Sequence, residues 1–226
     1  MTEAKNLKEL NVYTMVVGPL ATNCYLVYCG ETGESAVIDP GFGDERELEL
    51  VMKWLEELSL RLVYIIDTHG HPDHVSGNKP LKARTGAPIL IHHLDEWMLS
   101  EPGMSIPYWF ESSTADMELH GGEKLSIGEC TLTVLHTPGH TMGSVTLLGD
   151  DVAFTGDTLF AGSIGRIDLP GASPQDMEET LREKILSLPD DVKVYPGHGP
   201  ATVMGVEKRV NPFLRGLKQG KSLFRI

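Results

Sequence analysis

The chain has 226 residues, a formal net charge of −13 and 41% hydrophobic and 23% charged residues, the balance of a globular chain long enough to bury a core. Such acidity argues against a nucleic-acid backbone as partner, and no segment is long and apolar enough to span a bilayer. Cys24, Cys29 and Cys130 are widely spaced and form no Cys-x-x-Cys pair, which argues against a disulfide framework and for a reducing compartment. Cys24 and Cys29 read as small buried hydrophobes in an apolar run. The first eight residues lack the apolar stretch of a secretory signal, so a cytoplasmic location is expected.

Residues 12–17, 24–28 and 36–38 read as short strands punctuated by Gly and Pro, an antiparallel opening. Asp44 then caps a helix, with Glu47 three positions on as in a capping box. Its apolar residues Leu48, Val51, Trp54, Leu55 and Leu58 recur at helical spacing as one buried stripe. A strand over 62–66 runs into a loop, a short helix follows over about 77–84, and 89–91 is another strand. Segment 97–110, with Trp97, Met98, Met104, Ile106, Pro107, Tyr108, Trp109 and Phe110, has no clear period. It reads as a loop packed on the core, or as a substrate wall or dimer contact. Hairpin strands then run to 135, with further strands at 144–148 and 152–155. Ser173-Pro174 opens a helix with Met177, Leu181, Ile185 and Leu188 on one face, and a strand at 192–195 and a helix over about 206–217 complete the pattern. Two such sets of strands and helices point to sheets sandwiched between helices in a single domain.

Ligand-type side chains gather where the strands end. Thr68-His69-Gly70-His71-Pro72-Asp73-His74 follows the apolar run 62–66 and puts three imidazoles and a carboxylate within six positions. Imidazole and carboxylate are ligands of zinc, iron and manganese. In an extended segment His69 and His71 share a side while Asp73 and His74 reach a second point nearby, a spacing suited to two ions. His140, Asp157 and His198 each follow a further apolar run in a turn rich in Gly or Pro. His92, His93, His120 and His136 fall outside these motifs; of them only His136, close to His140, is a candidate to support a ligand from behind.

The order His-x-His-x-Asp-His, then a lone His, a lone Asp and a lone His, from Thr68 to Pro200, resembles the metallo-β-lactamase superfamily. That resemblance implies a four-layer αββα sandwich of the α/β (α+β) class. It also implies that His69, His71 and His140 bind one metal ion, that Asp73, His74 and His198 bind a second, and that Asp157 bridges them. Two divalent ions (zinc, iron or manganese) about 3.5 Å apart can hold a bridging water acidic enough to give hydroxide near neutral pH. Asp73 is the candidate to orient that nucleophile. There is no Gly-x-Ser-x-Gly elbow, so hydrolysis of an ester, thioester or lactone by the metal site is the expected reaction.

Within the superfamily, Gly156-Asp157-Thr158-Leu159-Phe160 resembles glyoxalase II enzymes, which hydrolyse S-D-lactoylglutathione and hold a glutathione carboxylate with a cationic residue nine positions after the bridging Asp. Arg166 stands in that slot; the other reading is an exposed arginine, or one paired with Asp168. The chain runs only twenty-eight positions beyond His198, so a single domain over 1–226 without the C-terminal helical domain of the longer glyoxalase II enzymes is expected. The expected partner is a small-molecule thioester, a glutathione conjugate among the candidates, with no nucleic acid, no membrane and the oligomeric state open. Gly165-Arg166-Ile167-Asp168 also resembles persulfide dioxygenases, which by this resemblance would use one iron held by His69, His140 and Asp157. A non-catalytic metal-binding protein is the third reading. From the length, the additional domains of the RNA-processing and flavodiiron members are not expected.

Overall fold

A computed structural model describes residues 9–100 and 110–222. The first half of the chain builds one six-stranded sheet. Strands β1 (Leu10–Val17), β2 (Thr22–Cys29) and β3 (Glu34–Ile38) form the expected antiparallel meander. Helix α1 (Glu45–Glu57) then crosses over to β4 (Arg61–Ile66), which pairs in parallel with β3. Two short helices, α2 (Pro72–Val75) and α3 (Asn78–Thr85), lead to β5 (Ile89–His92), and β6 (Met117–Leu119) closes the sheet, again in parallel.

The second half repeats the plan. β7 (Lys124–Ile127), β8 (Cys130–His136), β9 (Val145–Leu148) and β10 (Val152–Gly156) are antiparallel neighbours. A small hairpin, β11 (Leu159–Phe160) and β12 (Ser163–Ile164), precedes α4 (Pro174–Glu179), which continues as a π-helical stretch, Thr180–Ile185. β13 (Lys193–Pro196) pairs in parallel with β10, and β14 (Thr202–Val203) edges this sheet ahead of α5 (Met204–Val210) and α6 (Pro212–Lys218). The sheet orders are β1-β2-β3-β4-β5-β6 and β14-β13-β10-β9-β8-β7.

Three apolar clusters fill the spaces between four layers. Leu48, Val51 and Leu55 of α1 and Leu81 of α3 pack on the outer face of the first sheet with Val37, Ile65 and Ile89. Tyr25, Val27, Ile66, Leu90, Val134, Leu147 and Phe154 meet between the sheets. Met177, Leu181, Ile185, Leu188, Leu214 and Leu217 cover the outer face of the second sheet with Val194 and Ala153. This is the αββα sandwich, with helices outside and two sheets face to face. Among the described residues no helix is long and apolar enough to cross a membrane.

Several local expectations change. Glu47 does not return to the Asp44 amide as a capping box requires; Asp44 caps Arg46 and Glu47, while the Glu47 carboxylate accepts from the Gly18 and Gly43 amides. Leu58 ends α1 as its C-cap and is exposed, so the buried stripe stops at Leu55. The final helix is two helices. Pro212 supplies no N–H, Asn211 before it is held extended, and its side chain restarts the helix by accepting from Phe213 N. Of the aromatic segment, Met98 is buried, Trp97 exposed and Phe110 packed against the first cluster; Met104, Ile106, Pro107, Tyr108 and Trp109 lie outside the described residues.

Candidate metal centre

Parallel strand ends set the centre. β4 delivers the loop carrying His69 and His71, and Pro72 at the first position of α2 turns the chain so that Asp73 and His74 fall in one helical turn. β8 leads to His140, β10 to Asp157 and β13 to His198. The seven side chains come from four segments and converge. All are buried except His198, whose side chain is 27% exposed. They form three overlapping groups, His69/His71/His140, His69/His74/Asp157 and Asp73/His74/His198, in each of which the donor atoms lie within 4.8 Å of one another.

The outward-facing hydrogen bonds assign the imidazole tautomers. His74 donates from Nδ1 to Asp39 Oδ2 at 2.9 Å, and His140 from Nδ1 to the Arg166 carbonyl at 2.8 Å. Each therefore turns its Nε2 inward, the arrangement that metal-binding imidazoles take from a supporting acceptor. His69 meets Thr68 Oγ1 through Nδ1 at 3.1 Å, and its Nε2 also faces the centre. His71 presents Nδ1 instead, 2.8 Å from His140 Nε2. Asp157 spans both sides, with Oδ1 3.5 Å from His74 Nε2 and Oδ2 3.4 Å from His140 Nε2 and 3.7 Å from His198 Nε2. Asp73 Oδ2 lies 3.3 Å from His198 Nε2 and accepts from Thr22 Oγ1 at 2.9 Å.

The electrostatics ask for cations. Burial, reinforced by neighbouring imidazoles, holds His69 well below its ordinary pKa and His71 down to about 3, so both stay neutral donors. His74 shows the opposite. Burial opposes its charge, but Asp73, Asp39 and Asp157 outweigh that and raise it to about 10 in the protein without metal. At Asp73, burial opposes ionisation, yet His74, His198 and the Thr22 hydroxyl hold the carboxyl well below the usual range. Buried carboxylates thus demand positive charge at the centre of the cluster, and a divalent ion would provide it.

A metal fits this donor set. His69 Nε2, His74 Nε2 and Asp157 Oδ1 are buried polar atoms with no hydrogen-bond partner, and each points into the cluster. Such atoms cost about 1–3 kcal/mol each unless something meets them. The space is kept by glycine: a Cβ on Gly197 would stand 2.2 Å from Asp157 Oδ1 and 2.7 Å from His74 Cε1.

Two expected contributors are not in the cluster. The Arg166 backbone carbonyl accepts from His140 Nδ1, but the Arg166 side chain is 68% exposed and forks onto Asp168 at 2.9 and 3.0 Å. His136 bonds the Met142 carbonyl through Nε2 and stacks on His92 at 4.1 Å between centroids; His93 and His120 join this separate group. Three residues that support the centre were not singled out from the sequence. Asp39 holds His74 together with Thr68 N and Oγ1, and Thr22 holds Asp73. Asp95 accepts from Gly70 N (3.1 Å), Thr141 Oγ1 (2.6 Å) and Gly143 N (2.8 Å), tying the loop of His69 and His71 to that of His140. Their partners lie 25 to 51 positions away, so no local spacing marks them.

Fold and centre together define a metallohydrolase-type αββα protein with His/Asp metal-binding groups. Residues 17–198 match the family model described as the metallo-beta-lactamase superfamily, and the chain belongs to that superfamily, whose members are generally hydrolytic metalloenzymes. Hydroxyacylglutathione hydrolase GloC of Haemophilus influenzae is 36% identical over 213 residues, covering 91% of this chain and 98% of the relative. Among solved structures, the BLEG-1 B3 metallo-beta-lactamase superimposes with TM-score 0.83 at 33% identity, covering 91% of this chain and all of that one. TTHA1623 in a di-iron-bound form gives 0.76 at 38%, covering 90% and 100%. ETHE1 from Myxococcus xanthus gives 0.75 at 27%, covering 92% and 90%.

Proposed function

We propose that this protein is a dinuclear metal-dependent thioesterase of the glyoxalase II type, acting on S-D-lactoylglutathione or a similar small thioester. The observation that carries the reading is Asp157, whose carboxylate lies beside His140 of one proposed ligand set and beside His74 and His198 of the other. In this reading His69, His71 and His140 hold one ion, Asp73, His74 and His198 hold the other, and Asp157 is shared. The likeness to GloC supports the thioester, and the likeness to a di-iron-bound structure supports two ions.

When bound, such ions supply Lewis acidity and an acidified water. In this reading Asp73, whose Oδ2 accepts from the Thr22 hydroxyl, would hold the proton of the attacking water and so orient it. The buried walls exclude bulk water from the remaining donors, which strengthens every charge interaction among them. Arg166 lies at the exposed rim, where turning from Asp168 would offer its guanidinium to a substrate carboxylate. Water adds to the thioester carbonyl, the C–S bond breaks, and the products are the hydroxy acid and the thiol.

Protein purified without chelator should contain two equivalents of zinc, iron or manganese per chain and hydrolyse S-D-lactoylglutathione. A second reading, a mononuclear iron dioxygenase of glutathione persulfide, rests on the Gly165-Arg166-Ile167-Asp168 stretch. One iron per chain, unchanged by added zinc or manganese, with oxygen uptake on persulfide and no thioester turnover, would establish that reading and overturn the first.

A further inference from the structure

The segment that carries His140 away from β8 is gripped from behind by a helix that supplies no donor to the centre. α4 runs into the π-helical stretch Thr180–Ile185, where Leu186 N donates to the Leu181 carbonyl at 2.9 Å across five positions. Such wide turns are rare and recur near functional sites. Leu181 and Ile185 are buried in the apolar cluster outside the second sheet, while Thr180 and Lys184, each one position earlier, reach the main chain behind His140. Thr180 Oγ1 donates to the Pro138 carbonyl at 2.8 Å, and the Lys184 ammonium donates to the His136 carbonyl. Ser173, the N-cap of α4, donates its backbone N–H to the Gly139 carbonyl at 2.8 Å. Of the four peptide units between His136 and His140, three (136–137, 138–139 and 139–140) are therefore held by this one helix and its cap.

The grip matters because of Gly139. Its φ of 143 is one that side chains rarely adopt, and a Cβ there would stand 2.5 Å from Met177 Cα. Glycine lets the loop lie this close to α4, and glycine is also the residue with the most backbone freedom to restrain. His140 follows directly. Its outward bond, from Nδ1 to the Arg166 carbonyl, orients the ring but leaves the main chain beneath it to be placed by other contacts. We propose that Thr180 and Lys184 are positioning residues for His140, holding the Pro138 and His136 carbonyls so that His140 Nε2 stays beside the donors of His69 and His71. This inference rests on the reading of His140 as a metal ligand.

Thr180 is 2% exposed, so water cannot readily replace its hydroxyl at the Pro138 carbonyl. Thr180→Val keeps the shape of the side chain and removes only that donor. The carbonyl is then buried and unmet, and the 138–139 peptide gains by turning toward any other donor, which Gly139 allows. The turn is passed to His140, and a ligand must hold its place within about 0.5 Å to keep its ion. Groups that support a ligand directly are worth about ten- to hundredfold in metal affinity, and Thr180 acts one step further out, so the lower end, about tenfold, is expected. A helix that served packing alone would lose stability in this variant and leave metal affinity where it was. The ion proposed at Asp73, His74 and His198 takes none of these three donors from the 136–140 segment and should be little changed.

The test titrates the full chain, stripped of metal, with zinc against a chromophoric chelator, beside a denaturant titration of each metal-free protein. Thr180→Val should weaken one zinc ion by about tenfold, and Thr180→Ser, which keeps the hydroxyl, should bind zinc as the natural chain does. Lys184→Met, which keeps the stem and removes the ammonium, should weaken the same ion. His140→Ala alone should weaken it further than either. In the His140→Ala background, Thr180→Val should have no additional effect on zinc, because two substitutions that act through one side chain do not add. If Thr180→Val folds too weakly to titrate, Lys184→Met, at a half-buried side chain, carries the same cycle. Additive losses in the double variant, natural zinc affinity in Thr180→Val or Lys184→Met, or a Thr180→Ser protein as weak as Thr180→Val would each overturn the positioning role. Zinc affinity untouched by His140→Ala would overturn the ligand reading itself, and the inference with it.

Discussion

Replacing Asp39 with Asn should weaken the proposed metal centre without touching any of its seven donors. Asp39 sits in the left-handed region at φ 52, which Asn tolerates, so the backbone is undisturbed. Its Oδ1 accepts from Thr68 N at 2.7 Å, and an Asn oxygen can keep that bond. Its Oδ2 accepts from Thr68 Oγ1 at 2.7 Å and from His74 Nδ1 at 2.9 Å. In Asp39→Asn that position is an NH2, which cannot accept from His74. The imidazole then moves its proton to Nε2, the atom that would bind metal, or leaves a buried donor unmet. Losing a supporting acceptor of this kind costs about ten- to hundredfold in metal affinity. That is about 1.4–2.8 kcal/mol, within the 1–3 kcal/mol expected for one buried unmet donor. Competition against a chromophoric chelator, with elemental analysis after dialysis, measures it. The ion proposed at His74 should be lost first. An Asp39→Asn protein that keeps both ions at natural affinity would refute the tautomer argument.

Other substitutions separate the roles. Asp157→Ala removes a carboxylate proposed to be shared by both ions, so thioester hydrolysis and most bound metal should disappear together, read by activity and elemental analysis. His136→Ala, which stacks on His92 away from the donors, should keep full metal content and activity within about threefold; losses comparable to those of Asp157→Ala would mean the ligands are wrongly assigned. Asp95→Ala frees the Gly70 and Gly143 amides and the Thr141 hydroxyl in a buried site, and should lower stability by roughly 2–4 kcal/mol in a denaturant titration while loosening the ion proposed at His69, His71 and His140. Arg166→Ala should raise KM for S-D-lactoylglutathione by roughly tenfold and barely alter kcat, because a remote carboxylate contact is alike in ground and transition states. A thioester lacking the glutathione peptide should show no such change, and equal effects on both would exclude the glutathione contact.

The candidate donors that converge in the fold were readable because each follows a short apolar strand and sits in a turn, so local pattern and chemistry coincide at His69, His71, His140, Asp157 and His198. The helix stripe at Leu48, Val51 and Leu55 was readable for the same reason, since 3.6-residue periodicity is local. What failed depends on distant partners. Glu47 looked like a capping residue, and only the fold brings Gly18, twenty-nine positions earlier, to its carboxylate. The three-residue strand β6 and the two-residue strands β11, β12 and β14 are too short to carry a period, and exist because a neighbouring edge pairs with them.

The seven donors are divided between the two sheets, four from the loop after β4 and one each from beyond β8, β10 and β13. His69 and His198 are separated by about 130 positions, so the centre is among the most non-local features of the chain and no half of it can assemble alone. An intermediate with one sheet formed would carry a partial ligand set. Ions present from the start would then be captured by the loop of His69, His71, Asp73 and His74 long before the remaining donors arrive. Refolding should therefore depend on when metal is added: supplied late, it would lock a docked sandwich, and supplied early it would slow the meeting of the halves by holding the first loop in non-native coordination.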